Sequence, residues 1–171
     1  MAKHKTGKAS QKCYFAGFYL EAIENAEKDE SLINRKAVLA AHRESCIFHL
    51  MGAYESLIWE VAGTYDEPFH AGQSLSHLLE DCQARGKSIP ELEQMLALEL
   101  SAGSWLNRML VSWNRIQSVD PATTSVAKTA VNLNAIEVRV SSDDDDLAQL
   151  PDWHENLRKL IDEIRQTLLE W

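Results

Sequence analysis

Residues 32–63 read LINRKAVLAAHRESCIFHLMGAYESLIWEVAG, and this stretch decides the fold. It contains no proline and, before its last position, a single glycine, Gly52. Because proline and glycine are the residues that most readily interrupt a helix, the spacing predicts one unbroken helix from Leu32 to Gly63. At about 1.5 Å per residue it is roughly 50 Å long. Projected at about 100° per residue, Ile47, Leu50, Tyr54, Leu57, Ile58 and Val61 share one broad face, which marks that face as core. The opposite stripe carries His42, Ser45, Cys46, His49, Gly52, Ala53, Ser56 and Glu60. Its side chains are small or polar, so it either meets water or lets a second helix approach closely.

Shorter amphipathic segments flank this helix. Ser10 is a suitable N-cap for a helix running to Lys28, in which Tyr14, Phe15, Phe18, Ala22 and Ile23 recur at helical spacing. After the long helix, Asp66, Pro68 and Gly72 form a break, and Ser74 caps a short helix that Arg85-Gly86 ends. Ser88-Ile89-Pro90-Glu91 has the spacing of a capping box with proline in the first turn. It opens a helix to Gln117 whose buried face includes Leu92, Met95, Leu106, Met109 and Trp113. Ala102, Gly103 and Ser104 lie inside it and suggest a close helix crossing. Asp120-Pro121 stops that helix, and Val131, Leu133, Ile136, Val138 and Val140 alternate partially, as in an extended segment or hairpin. A last helix follows Pro151, with Trp153, Leu157, Leu160, Ile161, Ile164 and Leu168 on its apolar side. The expected fold is therefore all-α. It is an up-and-down helical bundle of four to five helices with one long central helix and an extended or hairpin excursion before the C-terminal helix. Residues 1–9 read as a basic flexible tail, 10–171 as one domain, and 118–150 as an irregular or extended insertion.

Composition narrows the function classes. A chain of 171 residues with 45% hydrophobic and 25% charged residues can bury one core without metal or disulfides. The formal net charge is −9, although Lys3, Lys5, Lys8 and Lys12 make the first twelve residues basic. An acidic body repels phosphate backbones, so nucleic acid is not an expected partner. The lysines are followed by no apolar stretch of the kind a secretory signal needs, and no apolar run approaches the ~20 residues that span a bilayer. Cys13, Cys46 and Cys82 are odd in number and far apart, which fits reduced thiols in a core. These features point to a cytoplasmic protein without membrane association.

Candidate chemistry concentrates on the stripe of the long helix. His42, Cys46 and His49 fall within about 60° of one another at i, i+4 and i+7, and imidazole and thiolate are good zinc ligands. His70, His77, His154 or Cys82 would have to supply the fourth. A di-iron bundle needs Glu-x-x-His on each of two helices, whereas Glu67-Pro68-Phe69-His70 is the one match and lies in a break. Asp143 to Asp146 lack the alternate spacing and glycine turn of a calcium loop, and fit a solvated turn or a helix start. No nucleophile elbow, phosphate loop or dinucleotide fingerprint occurs. The sequence therefore assigns no catalytic residue, cofactor or metal.

Two resemblances bear on function. Arg43 and His49 resemble the Arg-x(4 to 6)-His signature of HEPN ribonucleases, which are also helical bundles. That likeness implies an Arg43 that holds a scissile phosphate and a His49 that moves the proton. Arg43, however, projects onto the core side. Gln11-Lys12-Cys13-Tyr14-Phe15-Ala16, Phe48-His49-Leu50-Met51-Gly52-Ala53-Tyr54 and Gly103-Ser104-Trp105-Leu106 resemble a family of short all-helical bacterial proteins catalogued as a domain of unknown function. That resemblance supplies no activity. The leading expectation is a non-enzymatic helical interaction protein with a protein partner or a second copy of itself, self-association running through the small-residue stripe. The alternative is a HEPN-like ribonuclease or metal-binding bundle. In either case the candidate stripe is His42, Cys46, His49, Gly52, Ser56 and Glu60, with Arg43 beside it.

Overall fold

The computed structural model describes residues 7–118 and 143–169, and within them the chain forms helices and no strand. The six helices are α1 (Lys8–Lys28), α2 (Arg35–Thr64), α3 (Leu75–Ala84), α4 (Pro90–Leu100), α5 (Trp105–Gln117) and α6 (Asp143–Leu169). The all-α expectation holds, with one more helix than foreseen. Helix α1 packs along α2, α6 lies against both, and α5 joins α2, α4 and α6. Helices α3 and α4 close one end by packing on each other.

The long helix behaves as its period dictates. Ile47, Leu50, Tyr54, Leu57, Ile58 and Val61 are all buried, and each such side chain contributes about 1.5–3 kcal/mol through removal of apolar surface from water. The Tyr54 hydroxyl, carried into this core, donates to Glu99 Oε1 at 2.6 Å. Helix α2 starts at Arg35 rather than Leu32 because Asn34 is in the left-handed region (φ 61°), a conformation asparagine tolerates. At the next junction Ser74 caps α3 by accepting from His77 N at 3.2 Å, and Gly86 (φ 71°) ends the turn that follows.

Several local expectations are corrected. The buried face of α1 is Ala9, Cys13, Ala16, Ile23 and Ala26, not the aromatic series; Tyr14 is 65% and Phe18 52% exposed. Ser10 is not its cap: the helix begins at Lys8 after Gly7 (φ 116°), and Ala9, expected in a flexible tail, is fully buried. Ser88 and Glu91 do not close a capping box. Ser88 Oγ donates to Glu93 at 2.7 Å, while Glu91 accepts from the Tyr65 hydroxyl at 2.8 Å, because docking against the loop after α2 takes that carboxylate elsewhere.

The helix expected over 88–117 is two helices. Gly103 is left-handed (φ 79°), and a Cβ there would meet nothing within 4 Å, so the small residues make a turn and not a close crossing. Ser104 then caps α5 by accepting from Asn107 N at 3.0 Å, and its own hydroxyl donates to Leu98 O at 2.6 Å.

A further correction concerns the C-terminal helix, which begins at Asp143 and runs through Pro151 instead of following it. Interior proline costs a helix about 3 kcal/mol. The loss is offset because Leu150 and Trp153, on either side of it, are both fully buried. The alternating segment Val131–Val140 lies outside the described residues.

Two ionic ties, each built on a buried carboxylate, complete the framework. Asp146, placed in the core by this longer α6, accepts from Ser112 Oγ at 2.7 Å and pairs with Arg43 and Arg115, each at 3.4 Å. The tie joins α2, α5 and α6. In the second, Glu67 is buried between Arg85 and Lys87, and the Lys87 ammonium donates to it at 2.5 Å. The Lys87 hydrogen bond, with the Arg85 and Lys87 charges, holds the Glu67 carboxyl below its ordinary range. Among the described residues no helix is long and apolar enough to cross a membrane.

Two outcomes follow from these ties. Asp146→Ala leaves two guanidinium groups without their shared carboxylate, and is expected to lower unfolding free energy by about 3 kcal/mol in urea titrations. A carboxyl with a depressed folded-state pKa stabilises above its unfolded value of about 4.3, and that contribution is lost as pH falls through the folded value. Glu67→Gln should therefore be less stable than wild type at neutral pH. Its melting temperature should also fall less steeply than that of wild type as the solution is acidified below about pH 4.

Candidate functional site

The stripe of α2 faces α1 of the same chain. Ala16 and Ala53 are fully buried, and these small side chains let the two helices approach closely. Cys46 lies in this seam with its Sγ 3.6 Å from Ala16 O. Burial pushes its thiol up to about 12, and that of Cys13, the seam's other cysteine, up to about 11. The aliphatic stem of Lys12 lies over Gly52, where a Cβ would make an ordinary contact with Lys12 Cδ at 3.5 Å. Ser56 Oγ turns back to Gly52 O at 2.6 Å.

Glu60 closes the seam. Its carboxylate accepts from the Gly7 and Ala9 amides at 3.3 and 3.2 Å, two of the groups a helix start leaves without partners. It also receives Arg165 of α6 at 2.7 Å. The negative charge sits where the α1 dipole favours it. Glu60 thus ties three helices together and meets its donors within the fold.

The histidines do not converge with Cys46. His49 stacks on Tyr19 (ring centroids 5.3 Å apart, interplanar angle 23°) and meets the edges of Phe15 and Phe48 at 5.7 and 5.5 Å. Burial, with the nearby Lys12 charge, holds its pKa below the ordinary histidine value, which favours the neutral ring. His42 lies 6.1 Å from Tyr19. Of the possible fourth ligands, His154 packs over Gly17 with Nε2 3.1 Å from Cys13 O, His77 faces Glu80 and Asp81 on α3, and Cys82 lies by Arg85. His70 is in the exposed break. Among the described residues no three His, Cys, Asp or Glu side chains are placed to hold a metal ion. Arg43 turns inward to Asp146, whereas His49 sits among the rings of α1, so the two do not address a common substrate position.

The seam has a second consequence. With small residues at its centre, the rings of α1 and α2 stand at its rim, where they form a chain. Phe18 meets Tyr14 at 4.8 Å, Tyr14 meets Phe15 at 6.5 Å, and Phe15 meets His49 at 5.7 Å. The chain continues from His49 to Phe48 at 5.5 Å and from Phe48 to Trp113 of α5 at 6.2 Å. Phe48 is 54% and Trp59 49% exposed.

The Phe48–Trp113 pair separates two depressions. One, of about 250 Å³, is lined by Lys8, Lys12, Gly52, Trp59 and that pair. The other, of about 390 Å³, is lined by Tyr19, Glu44, His49 and Ile116 with the same pair. Helical period alone does not mark this face. The signal available was that Phe48 and Trp59 fall outside the apolar stripe of α2, where a large ring has no intrahelical reason to be.

The seam makes its thiols inert, because the thiolate is the reactive form and burial disfavours it. In native protein at about pH 8, Cys13 and Cys46 should react with a thiol-specific disulfide reagent at least a hundredfold more slowly than in urea, as followed by absorbance. Fast native reaction of two or more thiols would show that the seam opens.

No curated protein and no solved structure matches the chain. The model of a family described as being of unknown function matches residues 1–171. With its residues 1–171 matched in this way, the chain belongs to the family of unknown function DUF6586.

Proposed function

We propose that this protein is a non-enzymatic helical interaction module that binds a protein partner through the aromatic face of α1, α2 and α5. The observation that carries the reading is the unbroken chain of rings from Phe18 to Trp113, exposed at Phe18, Tyr14 and Phe48. Contiguous exposed aromatic surface is costly in water, and it is the surface type most enriched at interaction hot spots. Rings also lose little conformational entropy on binding, and here Tyr19 and Phe15 already brace His49 behind Phe48.

The alternatives draw less support. The ribonuclease reading needs Arg43 and His49 at one phosphate, and Arg43 is committed to Asp146. A metal reading needs His42, Cys46 and His49 to converge, and Cys46 is directed at Ala16. Self-association through the α2 stripe would require α1 to leave it. Three buried free thiols favour a reducing, cytoplasmic setting.

The test places a photo-crosslinking residue at Phe48, at Trp113 and, as a control away from the face, at Ile33 in the protein expressed in its own cells. One and the same protein should be captured from positions 48 and 113 and not from 33. The Phe48→Asp/Trp113→Ala variant should lose that protein in affinity purification while keeping the wild-type circular dichroism. Equal capture from all three positions would defeat the reading.

A further inference from the structure

The chemistry of the partner is written at one end of this face. Lys8 and Lys12 are one turn apart on α1, so their side chains project from the same side of the helix, and both line the 250 Å³ depression beside Phe48, Trp59 and Trp113. Lys12 Nζ stands 5.6 Å from the centre of the Phe48 ring. Neither ammonium makes an ion pair with a described carboxylate, and Glu55 is the single acidic residue in the lining. The lining is thus locally basic on a chain whose net charge is −9.

We infer that this depression receives one face of an acidic amphipathic helix from a partner protein, an apolar side chain entering between Phe48, Trp59 and Trp113 while carboxylates meet Lys8 and Lys12. The inference rests on the interaction reading above and adds the partner's charge and shape. Volume argues for a side chain over a metabolite, since about 250 Å³ lies below the ~300–1,000 Å³ usual for small-molecule sites. Spacing argues for a helix. Two ammonium groups four residues apart match carboxylates three or four residues apart on a facing helix, and the apolar residues of that helix recur at the same interval. The charge pattern also disfavours a second copy of this acidic chain, because its body would bring net repulsion to the rest of the interface.

The probe is a capped, tryptophan-free amphipathic peptide of about 18 residues with leucines along one stripe and glutamates beside them. Its counterpart carries lysines in place of the glutamates. Binding to the full chain is read from protein tryptophan fluorescence at low salt. The glutamate peptide should saturate, with a Kd at least tenfold below that of the lysine peptide and a preference that shrinks as salt is added. Lys8→Glu/Lys12→Glu should reverse the preference, and Lys8→Gln/Lys12→Gln, which keeps most of the stem over Gly52, should remove it while the circular dichroism is unchanged.

Equal binding of both peptides, indifferent to the lysine substitutions, overturns the inference and leaves the aromatic-face reading to its crosslinking test. Binding of neither peptide overturns it as well. Concentration-dependent dimerisation abolished by Lys8→Glu/Lys12→Glu would give the face to a second copy and would equally overturn it.

Discussion

Close approach of α1 to α2 is the constraint on which the rest of the structure depends. Two helices come near only where their facing side chains are small, and here Cys46 meets the Ala16 carbonyl while Ala16 and Ala53 are fully buried. Dense packing of small groups gains dispersion energy but little area per residue. The seam is accordingly held at its end by Glu60, which gathers the first amides of α1 and the Arg165 guanidinium of α6 around one carboxylate. On its other side α2 carries the large aliphatic core. A central helix is thereby enclosed on both faces, which is why residues as different as Leu50 and Cys46 are equally inaccessible.

The other ties follow from where this enclosed helix puts its polar groups. Arg43 projects toward the core side, and a buried guanidinium needs a counter-charge. Asp146 supplies it, and doing so requires that α6 start early enough to reach Arg43. This accounts for a helix that runs through Pro151. At the opposite end, Glu67 is buried after α2 and draws in Arg85 and Lys87 from the end of α3. In both cases buried charge determines where a neighbouring element must lie, beyond any stability it adds.

The aromatic face is the outward counterpart of the seam. Large rings excluded from a contact built of small residues take the rim, and on α1 and α2 the rims adjoin. His49 belongs to this arrangement: its ring is one link in a chain of rings and its low basicity comes from burial beside Lys12. A stripe that reads as a set of metal ligands or a ribonuclease pair is, in three dimensions, partly the floor of a helix contact and partly the support of a surface.

By itself the sequence determined what depends on local chemistry and on period. The length of α2, its core face from Ile47 to Val61, the cap at Ser74 and the stop at Gly86 follow from residues within a few turns of one another. The all-helical class follows from the same patterns. Tertiary structure decided which of two equivalent meanings a pattern has. Small residues mark either a close crossing or a turn, and only the neighbours show that Cys46, against the Ala16 carbonyl, is the first and Gly103 the second. Aromatic and small series alternate on α1, and only the demand of α2 for a close partner selects Ala9, Cys13 and Ala16 for the core over Tyr14 and Phe18. The pairing of Arg43 with Asp146, across a separation of 103 positions, has no local signature at all. Its cause is the cost of a lone buried charge, which no window of sequence contains.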